Sequence, residues 1–389
     1  MKKETTAVVL AGGVGSRLRP LTSARPKPLA PIGNHPMLDY ALWSLGQSKM
    51  VQDVIVVVRY LGEQIRDYVE NTGHFGKLNI SVPNVDPLDT ADALRKVANL
   101  IDSEQIIVCM ADIITNLAIA DFIKFHESKD AFASITLKDV EQPRRFGVIM
   151  VDKESEIQLF LEKPQVQELY LTSLTFAPRE PLHLEQNLVN TGIYCFDSRI
   201  LGILEEVPDL MDFGKHVFPY LLQESLPFYG YIRDYYWMDC GDIQAYLWAN
   251  YDLLRRWAWP FLPKGNERDG KWTRNIEIGV NATIESETAI GSNTTIGENV
   301  RITSGSVIGE NCHIGNNSRV DRSVIWDNVI VGENVQLTDC VVCDGVKLHL
   351  DVSVKALAAI GKDSEIAEGT TIEAGTKIER GMYVKGKED

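Results

Sequence analysis

The chain has 389 residues, of which 44% are hydrophobic and 24% charged, the balance of an ordinary globular protein. That length allows two or three domains with a substantial core. Its 39 basic against 54 acidic residues leave a net charge of −15, which argues against a nucleic-acid partner and points to small ligands. The N-terminal segment has too few apolar residues for a signal-peptide core, and no stretch approaches membrane-spanning length. A cytoplasmic location without a membrane partner is therefore expected. The six cysteines are scattered, and Cys340-Val-Val-Cys343 lacks a second pair or a histidine cluster, so structural thiols are expected rather than zinc or redox chemistry.

The first element in the chain is the short apolar run Ala7-Val8-Val9-Leu10, suited to a buried parallel strand. The segment Leu10 to Pro28, LAGGVGSRLRPLTSARPKP, then packs three glycines, three arginines and a lysine together. Gly12, Gly13 and Gly15 fall where the chain leaves the sheet and let the backbone turn its N–H groups onto a phosphate. Arg17, Arg19, Arg25 and Lys27 add charge, while Pro20, Pro26 and Pro28 stiffen the segment against helix formation. Such a loop suits polyphosphate. A Walker A loop would need lysine followed by serine or threonine after the glycines, and a dinucleotide fingerprint would need a glycine where Leu18 stands. A tight turn beside a solvated basic face is the bland alternative.

Further strands are expected at Val54 to Val58, Ile106 to Met110, Ala133 to Leu137 and Thr191 to Cys195. Helical spacing appears at Leu38 to Gly46, Gly62 to Glu70 and Ala120 to Glu127. This alternation predicts an α/β domain that binds ligands at the carboxyl ends of its strands. After a linker-like stretch rich in proline and glycine, the texture changes. Branched residues recur every sixth position from Ile278 through Ile284, Ile290, Ile296, Ile302, Ile308 and Ile314 to Val320. The phase slips near Trp326, runs through Val329, Val335 and Val341, and resumes from Val354 to Val384. A period of six scatters apolar residues around a helix but stacks them inside a parallel β-helix, here of about six coils. The domain boundaries expected are 1–255, a linker at 256–275, and a β-helix at 276–389.

The stretch Gly12-Gly13-Val14-Gly15-Ser16-Arg17-Leu18-Arg19-Pro20-Leu21-Thr22, continued by Pro26-Lys27-Pro28 and Pro36-Met37, resembles the signature of the sugar-nucleotide pyrophosphorylases (sugar-1-phosphate nucleotidyltransferases). The resemblance implies a Rossmann-like mixed, mainly parallel sheet with helices on both faces, followed by a left-handed parallel β-helix. It also implies that Leu10, Ala11, Gly12, Gly13, Gly15, Ser16, Arg17, Lys27, Asp89 and Thr90 hold the nucleotide, with Arg17 and Lys27 stabilising the departing pyrophosphate.

Later motifs extend the resemblance over the whole first domain. Ala111-Asp112 ends a strong strand, and Trp237-Met-Asp-Cys-Gly241 resembles the family's tryptophan-x-aspartate-x-glycine element. Asp112 and Asp239 become the candidate ligands of Mg²⁺, because a hard ion bound mainly by phosphate and water oxygens needs only one or two carboxylates. Read bare, each aspartate is equally at home as a helix or turn cap. Phe146-Gly147-Val148, Glu162-Lys163-Pro164 and Asn190-Thr191-Gly192 match elements of the sugar pocket. Lys163 would orient the sugar phosphate as a catalytic residue, Glu162 and Asn190 would bond sugar hydroxyls, Gly147 would allow close backbone approach, and Thr191 would complete the pocket.

The sequence departs from the family at three motifs, the mildest being Ala111, where the family usually has glycine before the aspartate. Asp89 stands where the family commonly has glycine near the nucleotide, and Asp242-Ile-Gln replaces the usual threonine-proline. The stretch Gln165 to Val189 is also long for the family.

The function expected is Mg²⁺-dependent transfer of a nucleotidyl group from a nucleoside triphosphate to a hexose 1-phosphate, giving an NDP-sugar and pyrophosphate. Gly73-His-Phe-Gly76, Asp212-Phe-Gly-Lys215 and Tyr229-Gly-Tyr231 resemble the mannose-1-phosphate guanylyltransferases, which favours GTP and mannose 1-phosphate. The alternatives are a glucose-1-phosphate nucleotidyltransferase using another triphosphate, a non-catalytic regulatory subunit of a pyrophosphorylase complex, and added acyl transfer by His313 or His349. Assembly through the β-helix, as a homo-oligomer or a hetero-oligomer, is expected from its open coil ends.

Overall fold

The computed structural model describes residues 4–72, 75–140, 148–161 and 187–386. Gly147, Glu162 and Lys163 lie outside the described residues, as does most of the stretch Gln165 to Val189. The chain forms two compact units. The first comprises Met1–Gly12, Ala41–Ala111 and Leu117–Tyr235, and the second Gly13–Tyr40, Asp112–Asn116 and Tyr236–Asp389. Among the described residues, no helix is long and apolar enough to cross a membrane.

The first unit is built on a mixed nine-stranded sheet. Its central strand, Thr5–Leu10, lies parallel between Gln105–Met110 and Val51–Val57, with Val8 opposite both Val108 and Ile55. Thr5–Leu10 and Gln105–Met110 are buried along nearly their whole length and Val51–Val57 from Val54 onward, which is why these stretches read as apolar runs rather than alternating ones. On the other side of Gln105–Met110 the direction changes. Strand Leu188–Asp197 pairs antiparallel with Gln105–Met110 and with Ala133–Asp139, and its register breaks between Asn190 and Tyr194. The sheet is thus parallel around Thr5–Leu10 and antiparallel around Leu188–Asp197. Apolar runs do not report that difference, because a strand buried on both faces has the same composition in either direction.

Helices follow the expected spacing at Met37–Ser48, Gly62–Thr72 and Ile119–Ser128. In Gly62–Thr72 the buried residues Gly62, Ile65 and Val69 fall three and four apart on one face.

In the second unit, residues 271–384 wind as a left-handed β-helix with three faces, each a parallel sheet of two- and three-residue strands. Lys271–Thr273 is already part of one of these sheets, pairing in parallel with Thr288–Ile290. The inward column runs Ile290, Ile296, Ile302, Ile308, Ile314 and Val320, then Ile325, Val331, Leu337, Val342, Leu348 and Val354, and on to Ile372.

The phase slip is therefore two separate one-residue shortenings, between Val320 and Ile325 and between Leu337 and Val342. Val329 and Val335 are also fully buried, but they fill the neighbouring interior position together with Cys312, Cys340 and Val346. This explains two of the cysteines as small core residues. At the corners the backbone turns left-handed, and Asn293, Asn299, Asn311, Asn317 and Asn328 supply that conformation. Side-chain amides then bond from coil to coil, as in Asn299 to Asn317 at 3.1 Å.

Ile278 is 54% exposed although it keeps the repeat, because no coil precedes it to cover it. Interior positions behave differently. Ile302 is fully buried between coils, and Ile302→Ala is expected to destabilise the protein by about 2–5 kcal/mol. Denaturant unfolding measures this, and a loss below 1 kcal/mol would contradict the tight stacking.

Candidate active site

The glycine loop folds as two tight turns that place its cations. Gly15 has φ +64° and precedes the 3-10 turn Ser16–Leu18, whose Leu18 is fully buried. The Gly15 carbonyl accepts from Thr22 Oγ1 at 2.9 Å and from the Leu18 amide at 3.0 Å. A Cβ at Gly15 would lie 3.1 Å from the Lys27 Cβ. Glycine is required here twice, for the left-handed backbone and for the approach of Lys27. Gly13 and Ser16 are exposed, and a Cβ at Gly13 would meet nothing within 4 Å.

Lys27 opens the second turn, Lys27–Leu29, and is buried. Its Nζ donates to Asp112 Oδ2. Burial works against the lysine's charge, but the carboxylates of Asp112 and Asp239 more than offset it and hold its pKa above the ordinary value.

The two aspartates come from segments distant in sequence that meet in an antiparallel ribbon. Strand Ile113–Thr115 pairs with Trp237–Asp239, setting Asp239 opposite Ile113, and the Cys240 amide donates to the Asp112 carbonyl at 3.3 Å. The Asp239 carboxyl is pushed above its usual range, first by burial and then by the like charge of Asp112, with Lys27 and Arg17 opposing. Arg17 is exposed, and a Cβ at Gly241 would lie 3.0 Å from its Nη2. The glycine of the tryptophan-x-aspartate-x-glycine element thus leaves room for the arginine beside Asp239. Asp242, where the sequence departs from the family, caps the helix Ile243–Leu254 by accepting from the Ala245 amide at 2.9 Å. Two cations and two carboxylates converge within the second unit.

The donor set fits a divalent cation such as Mg²⁺. The charge of Asp112 stands close enough to disfavour ionisation of Asp239, a cost that a bound cation would relieve. Among the described residues no group of three or more histidine, cysteine, aspartate or glutamate side chains could hold a metal alone. Phosphate oxygens and water would have to supply the remaining ligands.

The other candidates belong to the first unit. Leu10 ends the central strand, and the Ala11 amide donates to the Val57 carbonyl at 2.9 Å. Gly12 is packed closely enough that a Cβ would lie 3.3 Å from the Arg59 Cβ. Asp89 caps the helix Thr90–Lys96, its carboxylate accepting from the Thr90 amide at 2.9 Å. Thr90 Oγ1 donates to Asp212 Oδ2 at 3.0 Å, and Asp212 accepts from the Lys215 amide at 2.8 Å. The Asp212-Phe-Gly-Lys215 motif is therefore a second helical start tied to the first, a link sequence spacing did not reveal.

Asn190 bonds the Tyr194 hydroxyl at 3.0 Å through its amide nitrogen and the Gly192 amide through its oxygen. Thr191 is 1% exposed, and its hydroxyl is engaged with Thr136 and Tyr235.

Because Asp89 is turned onto its own helix, Asp89→Gly is expected to cost only a few tenths of a kcal/mol and to change kcat/KM less than about threefold. Thermal unfolding and pyrophosphate release measure both. A large gain in turnover would mean that the carboxylate obstructs the nucleotide.

Comparison with known proteins places the chain in a family. The model of the nucleotidyl transferase family matches residues 6–256, and that of the LbH domain of the EIF2B epsilon subunit matches residues 272–372. The chain belongs to the nucleotidyl transferase family, in its sugar-nucleotide pyrophosphorylase group. A UTP–glucose-1-phosphate uridylyltransferase of Synechocystis is 30% identical over 90% of this chain and 92% of its own length. A mannose-1-phosphate guanyltransferase of Schizosaccharomyces pombe is 31% identical over 62% of each chain. A solved structure from Bacillus anthracis, assigned as a glucose-1-phosphate thymidylyltransferase in complex with sucrose, shares the fold at 23% identity and a TM-score of 0.52. It covers 63% of this chain and 94% of that one.

Proposed function

We propose that the protein joins a nucleoside triphosphate to a hexose 1-phosphate, releasing pyrophosphate and an NDP-hexose. The observation that carries this reading is the convergence of Arg17, Lys27, Asp112 and Asp239. A sugar-1-phosphate oxygen is anionic at neutral pH and attacks the α-phosphorus without a general base. The protein has to supply alignment and charge, which is the main requirement of phosphoryl-type transfer.

Gly12, Gly13, Gly15 and Ser16 would line the triphosphate, Leu10, Ala11, Asp89 and Thr90 would lie along the nucleoside, and Lys27 and Arg17 would meet the pyrophosphate as its charge develops. Lys163 would hold the sugar phosphate, with Gly147, Glu162, Asn190 and Thr191 forming the sugar pocket. Asp112 and Asp239 would hold Mg²⁺, which when bound supplies charge neutralisation between the phosphates. Residues 1–255 would carry the reaction and 276–389 would support self-assembly in the cytoplasm.

GTP and mannose 1-phosphate are the leading pair, supported by the guanyltransferase likeness over the first domain. UTP and glucose 1-phosphate are the second reading, favoured by the uridylyltransferase relative matched over nearly both whole chains. Pyrophosphate release from a panel of four triphosphates and several sugar 1-phosphates, with Mg²⁺ and then with chelator, tests both. The expected result is metal-dependent release strongest for one of these two pairs. Inactivity of every pair would overturn the enzymatic reading.

A further inference from the structure

Arg25, like Arg19, is a loop cation to which the proposed chemistry gives no task. Within the second unit its Nη2 pairs with Asp344 Oδ2 at 2.9 Å, and its guanidinium carbon lies 4.8 Å from the centre of the Trp326 ring. Trp326 is 2% exposed and donates from Nε1 to the Tyr246 hydroxyl at 2.9 Å, which in turn donates to the Pro31 carbonyl. Asp344 is 8% exposed, and its second oxygen has no hydrogen-bond partner among the described residues. Without Arg25 a buried carboxylate would lose its ion-pair partner, a costly arrangement. The guanidinium thus both pairs with and lies over residues of the β-helix.

Further contacts lie along the same face. Ser23 Oγ donates to Glu379 at 2.8 Å, and Lys377 Nζ donates to the backbone carbonyl of Arg17 at 3.0 Å. Asn34 Nδ2 donates to the Ile308 carbonyl at 2.8 Å. The partners on the β-helix belong to one sheet. Strands Val307–Ile308, Val324–Ile325, Val341–Val342, Ala359–Ile360 and Lys377–Ile378 are consecutive neighbours in it, and Trp326, Asp344 and Glu379 stand just beyond three of them. One β-helix face therefore holds the segment from Arg17 to Asn34 at four residues, Arg17, Ser23, Arg25 and Asn34, on both sides of Lys27.

We propose that this face clamps the anion-binding loop, and that Arg25 and Lys377 are positioning residues that set Lys27 and Arg17 for nucleotidyl transfer without touching the substrate. The inference rests on the function proposed above. Its physical basis is that a displacement of about 1 Å in a charge-stabilising group can cost up to 10²-fold in rate, and a loop without the clamp loses its side-chain tethers to the β-helix on both sides of Lys27.

The test uses the full chain with Arg25→Met, Asp344→Asn, Lys377→Met and the conservative Arg25→Lys. Hydrogen exchange of residues 13–30 and steady-state kinetics are read on each. Lys377 is exposed, so its variant folds even if the change at the buried ion pair does not. Faster exchange in 13–30 is expected in all three disruptive variants, with kcat down about 10-fold or more, KM for the sugar phosphate little changed, and partial rescue by Arg25→Lys. Unchanged exchange overturns the clamp. Raised exchange with unchanged kcat overturns its role in catalysis. A loss of activity in Arg25→Met that neither Asp344→Asn nor Lys377→Met reproduces assigns Arg25 to the substrate and overturns the positioning role. A wild type that releases no pyrophosphate from any pair overturns the proposed function and the catalytic half of this inference, while exchange still decides whether the face holds the loop.

Discussion

Replacing Lys27 with methionine is expected to lower kcat by about 10²–10³-fold, the scale for loss of one pre-organised charge at the transition state. The substitution keeps most of the apolar stem that fills the buried slot beside Gly15, so the loop geometry is preserved. It removes the charge that the carboxylates of Asp112 and Asp239 hold in place. Lys27→Arg is expected to recover little, because a planar guanidinium does not fit a slot shaped for a compact ammonium. Pyrophosphate release and thermal unfolding on the same samples separate chemistry from folding. A methionine variant that keeps more than a tenth of the wild-type kcat would remove Lys27 from the catalytic role.

The second large effect is expected at Asp239. Asp239→Asn should reduce kcat by about 10²-fold or more, since the metal contribution in such sites amounts to several kcal/mol. Stability should move the other way or not at all. Burial and Asp112 already disfavour the ionised form of Asp239 in the folded state, and a neutral amide escapes that cost while keeping the shape. An activity loss paired with an unchanged or raised Tm marks a residue kept for function rather than for folding. Asp112→Asn should lose activity comparably, and both variants should need more Mg²⁺ for half-maximal rate. Retention of wild-type metal dependence in both would sink the assignment of these carboxylates to the ion.

Much of the molecule is legible in the sequence, for local reasons. The run Ala7 to Leu10 followed by glycines is a strand with its exit, since continuous apolarity and abrupt glycine are both short-range signals. The six-residue repeat is equally direct, because each coil face imposes the same demand on the chain. The antiparallel half of the sheet was not legible, as buried strands such as Leu188–Asp197 have one composition for either direction. The two five-residue sides of the β-helix were also hidden. Val329 and Val335 are as buried as Val331 and Leu337, so apolarity alone could not show which column they fill.

The candidate site divides in the same way. Arg17, Lys27, Asp112 and Asp239 could each be named from sequence motifs, and the chain by itself determined their chemistry: charge, reach and donor type. Tertiary structure decided their company. An antiparallel ribbon between Ile113–Thr115 and Trp237–Asp239 brings the two carboxylates together, and the turns around Gly15 deliver Lys27 to them. Arg25 stands two residues from Lys27 and looks alike in the sequence, yet it is spent on Asp344 and Trp326. Asp89, which stands where the family commonly has glycine, is a helix cap. Sequence fixes what a side chain can do within its own turn or strand, whereas pairing between segments hundreds of residues apart depends on register and on which surfaces are buried together, which only the folded chain sets.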